Sequence, residues 1–523
     1  MQVQGMSSTQ EGGWSVRELQ WSCVGCAETQ EQAEGGVLRV CFVSDNCFPK
    51  AGGVETHIFS VAQCLLRRGH HVVVLTRSYG DRVGIRYMTG GLKVYYIPFP
   101  TVETPAGGMT LPHILWDSFP ILRSIFLRER IQIVHSHQAV STLTHLCGLH
   151  AQTMQLKTVL TDHSLFGFGD GASINMNKSA RSSLTNIDHI ICVSHVGKEN
   201  TALRHRIAPH RISVIPNAVD VALFRPSEVR QPVGGDEDTI TVVVVTRTVY
   251  RKGSDLLATA IPILCRQDPR LRFIVAGDGS RMVQLIEMRE KHNLFEQVEL
   301  LGAVAPNEVG DVLRRGTIFL NCSLTETFCI AILEAVASGL VVVTTNAGGI
   351  PEVLPPDLVI LVDPHPEDVA RGVMKAIPRA QETDPMTLYN AVKDLYSWED
   401  VAERTERVYQ QLLEQPKLSF QKRVRHSWPV GLVMGKLYLI FIVVDMLWMW
   451  LLGVLMPARD MDPCPWLTPQ QRETINRQES LRVHPSPPPE EEITTHHHHH
   501  HHPGSSTPTL RPRTLPPRDP NPD

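Results

Sequence analysis

Short apolar runs rich in β-branched residues recur along the chain, separated by amphipathic stretches, and this rhythm appears twice. The first set is "VLRVCFVSD" from Val37, "HVVVLT", "IQIVHSH", "TVLTDH", "HIICVS" and "ISVIPN". The second is "TITVVVVTR" from Thr239, "RFIVAGDG", "QVELLGAV", "GTIFLNCS" and "LVVVTTNAGG". Runs of this length without polar alternation are expected of parallel strands covered on both faces by helices, such as the one predicted over Glu55–Arg68. Between the sets lies "SEVRQPVGGDED" (227–238), polar and glycine-containing, which reads as a linker. The expected fold class is therefore α/β, with two tandem Rossmann-like domains at 37–226 and 239–415, the latter closed by a helical stretch over Pro385–Tyr409. The cleft between them lies where open α/β sheets collect ligands, at the carboxyl ends of the strands.

The ends of the chain differ in kind. Residues 1–36 hold no continuous apolar segment and read as a flexible leader. Leu437–Leu455 is apolar apart from Asp445, and its 19 residues suffice to cross a bilayer. Lys417, Lys422, Arg423, Arg425 and Lys436 crowd the preceding segment (416–436), whereas Arg459 alone follows closely. The expectation is one transmembrane helix, with the large N-terminal part in the cytosol and the tail on the far side of the membrane. Asp445, a carboxylate in an apolar helix, is expected to face a partner subunit. The tail, 456–523, with "PSPPPEEE" and seven histidines at 496–502, is too biased to build a core. A formal net charge of −4 argues against nucleic-acid binding. The eleven cysteines are scattered, several within apolar runs, as expected of reduced thiols. "CVGC" at 23–26 has metal-ligand spacing but no second pair to complete a site.

The polar motifs gather at the expected strand ends. "PKAGGVETHI" follows the first strand, where Gly52 and Gly53 would let backbone approach a ligand and a helix N-terminus would meet a phosphate. Its spacing is not the G-x-G-x-x-G of nicotinamide cofactor sites. "TRTVYRKGSDLL" brings Arg247 and Lys252 off the first strand of the second domain, a fork and a point charge suited to a diphosphate. "SLTETFCIAILEAVASGL" (323–340) places Glu326 and Glu334 eight residues apart. On one helix they would point within roughly 80° of each other, about 12 Å apart along the axis. His135, His137 and His163 leave two successive strand ends of the first domain. A metal cluster is one reading, but hydrogen bonding to a polar substrate fits better, because no carboxylate or cysteine stands at ligand spacing. "IPNAVD" (215–220) is expected to make the domain crossover.

The Gly-Gly loop, the Arg-x4-Lys, "GDG" at 277–279 and the Glu-x7-Glu together resemble the GT-B retaining glycosyltransferases of family four. Within it, "TDHSLFGF" (161–168), "ICVS" (191–194), "SVIPNAVD", "YRKGSDLL" and "GGIPEVLP" (348–355), with the C-terminal anchor, resemble the catalytic-subunit family of the phosphatidylinositol N-acetylglucosaminyltransferases. The likeness covers Val37 to Leu455. It implies transfer of N-acetylglucosamine from UDP-GlcNAc to phosphatidylinositol with retention, the first step of glycosylphosphatidylinositol (GPI) anchor synthesis. It further implies the cytosolic face of the endoplasmic reticulum, other subunits of a complex, and no required metal or cofactor. Glu334 would accept from the ribose, and Arg247 and Lys252 would neutralise the diphosphate. Glu326 and the N–H groups of Thr327, Phe328 and Cys329 would lie by the transferred sugar, with His163 and His137 on the opposite wall. Two departures from the family pattern stand out: Cys329 where many members carry glycine, and no proline after "GDG". The competing readings are a GDP-mannose-dependent mannosyltransferase acting on a lipid-linked acceptor and a non-catalytic subunit that binds a sugar nucleotide.

Overall fold

The structure, a computed structural model, describes residues 36–475 apart from 49, 51, 105–106, 111–114, 168–170, 228–237, 432 and 469. The leader through residue 35 with its "CVGC" pair, most of the 227–238 linker, and the tail beyond 475 with its histidine tract lie outside the described residues.

The first domain runs β1 (Arg39–Val43), α1 (Gly53–Arg67), β2 (His71–Arg77), β3 (Gly84–Met88), β4 (Leu92–Ile97), the hairpin β5 (Thr101–Thr104) and β6 (Gly107–Thr110), and α2 (Leu115–Arg128). It continues with β7 (Ile133–His137), α3 (Thr142–Thr153), β8 (Lys157–Asp162), α4 (Gly171–Leu184), β9 (His189–Cys192), α5 (His195–His205) and β10 (Ile212–Val214). Its sheet has the order β10-β9-β8-β7-β1-β2-β4-β3, parallel throughout except for the edge strand β3. The second domain runs β11 (Ile240–Val245), α6 (Ser254–Gln267), β12 (Leu271–Ala276), α7 (Met282–Lys291), β13 (Val298–Gly302), α8 (Val309–Arg314) and β14 (Ile318–Asn321). It ends with α9 (Ile330–Ala337), β15 (Val341–Thr345), β16 (Val359–Val362), α10 (Pro366–Glu382) and α11 (Pro385–Lys393), and all six strands are parallel in the order β13-β12-β11-β14-β15-β16.

The apolar runs become central strands for the reason their composition suggests. Val40–Val43, Val72–Leu75, Val242–Val244 and Val341–Val343 are all buried. Each such side chain contributes about 1.5–3 kcal/mol on leaving water. The nine cysteines among the described residues are unpaired and, apart from Cys464, buried.

The chain leaves the second domain before it ends. The helical stretch expected over Pro385–Tyr409 is two helices, because Ser397 caps a new one by accepting from Asp400 N. This helix, α12 (Trp398–Glu414), packs against α1, and Trp398, Val401, Ala402 and Tyr409 join the core that holds Phe42, Ile58 and Leu65. Two further helices follow, α13 (Phe420–Ser427) and α14 (Met434–Leu455). The latter is the apolar segment, and its buried residues are Gly435, Tyr438, Ile442, Asp445, Met449 and Leu452. That 3-4 spacing lays one stripe of α14 against α3 and α4. Asp445 is not turned toward a partner subunit, as the sequence suggested: its Oδ1 lies 2.6 Å from Nδ1 of buried His150. The His150 ring stacks on Phe119, and its Nε2 lies 3.3 Å from Ser118 Oγ.

Asp445→Ala would leave the His150 N–H without an acceptor, at a cost of about 1–3 kcal/mol. A lower thermal midpoint is expected for the alanine variant and a largely restored one for Asp445→Asn. Equal midpoints for alanine and wild type would show that the pair carries no weight.

Candidate functional site

The site is built where loops of both sheets meet with no space for intervening side chains. After β11 the chain turns through Tyr250–Lys252 and ends in Gly253, whose φ of 71° is left-handed. A Cβ there would lie 1.8 Å from the carbonyl oxygen of Cys322. Gly277 of "GDG", with φ 132°, likewise sits where a Cβ would be 1.7 Å from Thr246 O. These contacts clamp the "TRT" loop between its neighbours, leaving Arg247 exposed and Lys252 half-buried.

Glu326 and Glu334 are not on one helix. Helix α9 begins only at Ile330, with Cys329 as its N-cap, and Glu326 sits in the irregular segment before it. Local hydrogen bonds outcompete helix there. Glu326 O accepts from Gly349 N (2.8 Å), and Thr327 Oγ1 donates to His163 O across the cleft (2.9 Å). Gly348 and Gly349 permit this approach, since Cβ atoms would fall 2.3 Å from Glu326 O and 2.0 Å from Thr327 O. The Glu326 carboxylate, freed from the helix, pairs with Lys252 Nζ and accepts from Ser323 Oγ (3.0 Å). Burial opposes the Lys252 ammonium, but Glu326 beside it prevails and holds the lysine above its usual pKa.

Glu334 stands in the second turn of α9. Among the described residues its carboxylate has no hydrogen-bond or ion-pair partner, and burial pushes its pKa up to about 7. Thr327, Phe328 and Cys329 are buried at the mouth of this helix, and among the described residues their N–H groups donate to no protein acceptor.

On the opposite wall, Gly53 opens α1 facing Ile330, where a Cβ would make ordinary contact at 3.6 Å. Gly52 has extended backbone; the Glu55 carboxylate folds back to within 2.2 Å of where a Gly52 Cβ would stand. An anion entering the N-terminus of α1 therefore meets Glu55, and burial raises the pKa of that carboxyl group. His137 and His163 do come together, with Nδ1 and Nε2 3.3 Å apart, whereas His135 turns away to Tyr409 OH (2.5 Å) and Thr161 Oγ1 (2.7 Å). The third member is His57, which the sequence reading missed; its Nδ1 lies 2.8 Å from Asn217 Oδ1 of "IPNAVD". The nitrogens of His57, His137 and His163 lie within 4.8 Å of one another. Burial depresses all three, His57 to about 4 and the others well below the usual histidine value, so the cluster is neutral at pH 7. Neutral imidazoles suit hydrogen bonding to hydroxyls and, equally, metal ligation.

Other contributors were also illegible. Phe166 lies under two guanidinium groups, 5.1 Å from Arg204 and 5.5 Å from Arg251, one from each domain. Glu352, in "GGIPEVLP", accepts from His195 N (2.6 Å) and Val196 N (2.8 Å), capping α5 across the domain boundary. It also lines a cavity of about 510 Å³ with Lys198, Phe328, Tyr396 and Arg404. A lone Phe or Glu in a loop carries no spacing signal; only the fold shows what it touches.

Two facing Rossmann-like domains with a basic and acidic cleft define the GT-B glycosyltransferase class, and solved structures agree. A sucrose-phosphate synthase from Thermosynechococcus elongatus superposes with a TM-score of 0.58 at 19% identity, covering 72% of this chain and 99% of its own. Anabaena HepE in complex with UDP and glucose gives 0.58 at 16% identity, with coverage of 72% and 100%. Family models match at residues 77–170, for PIGA (GPI anchor biosynthesis), and at 227–391, for glycosyl transferases group 1. A phosphatidylinositol N-acetylglucosaminyltransferase subunit from Arabidopsis thaliana is 49% identical over 450 residues, 86% of this chain and 99% of that protein. The Homo sapiens counterpart, with the same name, is 46% identical over 430 residues, 81% and 86% of the two chains. The chain belongs to this PIGA family of phosphatidylinositol N-acetylglucosaminyltransferase subunits.

Two outcomes test the site's construction. Gly253→Ala should lower both the thermal midpoint and transferase activity, because left-handed strain of about 1–3 kcal/mol adds to the clash with Cys322. Glu334 has a folded pKa above its ordinary value, so its penalty is absent below about pH 4.5 and grows as pH rises toward 7. Glu334→Gln should thus be more stable than wild type at pH 8, by about 1–3 kcal/mol. The two should converge near pH 4.5 in thermal melts.

Proposed function

We propose that this chain is the catalytic subunit that transfers N-acetylglucosamine from UDP-GlcNAc to phosphatidylinositol with retention, the first step of GPI anchor synthesis. The observation that carries the reading is the Lys252–Glu326 pair held by Ser323 beside Arg247, with Glu334 unpaired on the next helix. Membership of the PIGA family supports the substrates and the companion subunits. The presence of Arg247, Lys252, Glu326 and Glu334 together in one domain argues against a non-catalytic sugar-nucleotide subunit.

In this reading Glu334 accepts from the ribose hydroxyls, which favours its charged form. Lys252 and Arg247 take the diphosphate, and Glu326, with the N–H groups of Thr327, Phe328 and Cys329, contacts the sugar. His163 and His137 hold sugar hydroxyls from the facing domain, and Gly52 and Gly53 let the acceptor's phosphate approach, with Glu55 displaced. The bond from the anomeric carbon to the diphosphate breaks. An inositol hydroxyl oxygen bonds to the same face, and its proton passes to the leaving phosphate. The two cationic side chains supply the charge neutralisation, so the reading calls for no metal or cofactor. The enzyme works at the endoplasmic reticulum membrane, with its cleft on the cytosolic side.

Membranes lacking the endogenous enzyme, supplied with this chain and its partner subunits, should transfer label from UDP-GlcNAc to phosphatidylinositol and none from GDP-mannose. Lys252→Ala should reduce the rate by about 10²–10³-fold, and Glu326→Gln should also slow transfer. Label from GDP-mannose would move the assignment to a mannosyltransferase, and unimpaired Lys252→Ala would remove the site as drawn.

A further inference from the structure

We infer that His57 is a further substrate-binding residue, whose Nε2 accepts a hydrogen bond from a ring hydroxyl of the bound sugar or inositol, in a tautomer that Asn217 fixes. The inference rests on the glycosyl transfer proposed above and adds a residue to its hydroxyl-binding wall.

The first observation is which nitrogen is left open. Asn217 Oδ1, 2.8 Å from His57 Nδ1, can only accept, so the ring proton sits on Nδ1 and the lone pair on Nε2. Among the described residues nothing is hydrogen-bonded to Nε2. Both side chains are buried, and burial keeps the imidazole neutral at pH 7. A buried histidine kept only to anchor α1 would have both nitrogens satisfied. This one presents an acceptor that the protein itself does not use.

The second is where it stands. Its ring meets His163 edge-on with centres 4.8 Å apart, and His137 at 5.4 Å. One nitrogen from each of the three lies within 4.8 Å of the others. A sugar or inositol ring that engages His137 and His163 therefore brings a hydroxyl to His57 as well. The attacking hydroxyl gives its proton to the leaving phosphate, so the one that His57 binds is a neighbour that does not react.

The third is what holds it. β10 ends at Val214 and β11 begins at Ile240, so Asn217 lies on the segment that leaves the first domain. α11 ends at Lys393 and α12 begins at Trp398, on the segment that returns to it, and the Trp398 ring stands edge-on to His57 at 5.7 Å. Both connections between the domains thus touch this one histidine. The asparagine of "IPNAVD" does more than turn the chain: it aims a substrate ligand from the crossover.

Membranes lacking the endogenous enzyme, supplied with the full chain and its partner subunits, test this with two amide variants. His57→Asn keeps an amide near the Nδ1 position, within reach of Asn217, and has nothing at Nε2. His57→Gln places its amide near Nε2 instead. For transfer from UDP-GlcNAc to phosphatidylinositol, His57→Asn should lose about tenfold or more in kcat/KM, the effect of one hydrogen bond removed from a buried site. His57→Gln should recover part of that loss although its thermal midpoint is the lower of the two. A raised KM for UDP-GlcNAc assigns the hydroxyl to the sugar, and a raised KM for phosphatidylinositol assigns it to inositol. Wild-type kcat/KM in His57→Asn, or His57→Gln as the less active variant, would overturn the inference. Failure of the underlying reading shows elsewhere, in a wild-type chain that transfers no label from UDP-GlcNAc.

Discussion

The cleft depends on backbone approaching backbone with nothing between. Around residues 322–329, carbonyl oxygens are met by Gly253, Gly348 and Gly349 at distances no Cβ can share. Because the loop is gripped in this way, Glu326 is kept out of α9 and delivered to Lys252. Thr327 reaches the carbonyl of His163 on the other domain. The charges of the site are held by steric contact first and by their mutual attraction second.

Burial then sets the character of each group. The Lys252 ammonium survives burial through its carboxylate partner, whereas Glu334, with none, drifts toward neutrality. The histidines of the facing wall lose their protons for the same reason. The cleft thus presents a cation, a carboxyl poised between states and neutral imidazoles, which suits a polar, negatively charged ligand that is neutralised without becoming fixed. Glu334, whose carboxylate has no partner among the described residues, is a local cost in stability placed where a ligand is received.

Much of this was readable beforehand, for physical reasons. Two rounds of short, β-branched apolar runs separated by amphipathic stretches are the pattern of strands buried on both faces, and the structure has the two largely parallel sheets they implied. Arg247, Lys252, His137 and His163 were singled out because strand ends border the expected cleft, whereas Glu334 came from its spacing to Glu326, and it does stand on the helix that spacing suggested. What failed was geometry set by distant residues. Glu326 looked helical by spacing, but Gly349, 23 positions later, holds it in a loop. His135 shared the strand-end position of His137, yet Tyr409 from a late helix claims it. His57 sits inside an amphipathic helix, where one polar residue on a buried face gives no warning. Asp445 found its partner 295 positions back in the chain.

The return of α12 to the first domain has a consequence for how the chain is made. Trp398, Val401, Ala402 and Tyr409 complete the core around α1 and β1, yet they leave the ribosome after the whole second sheet has emerged. Until then α1 lacks the cover that α12 provides, and His135 has no tyrosine to meet. The core of the first domain can therefore be completed only after the whole of the second domain has been synthesised.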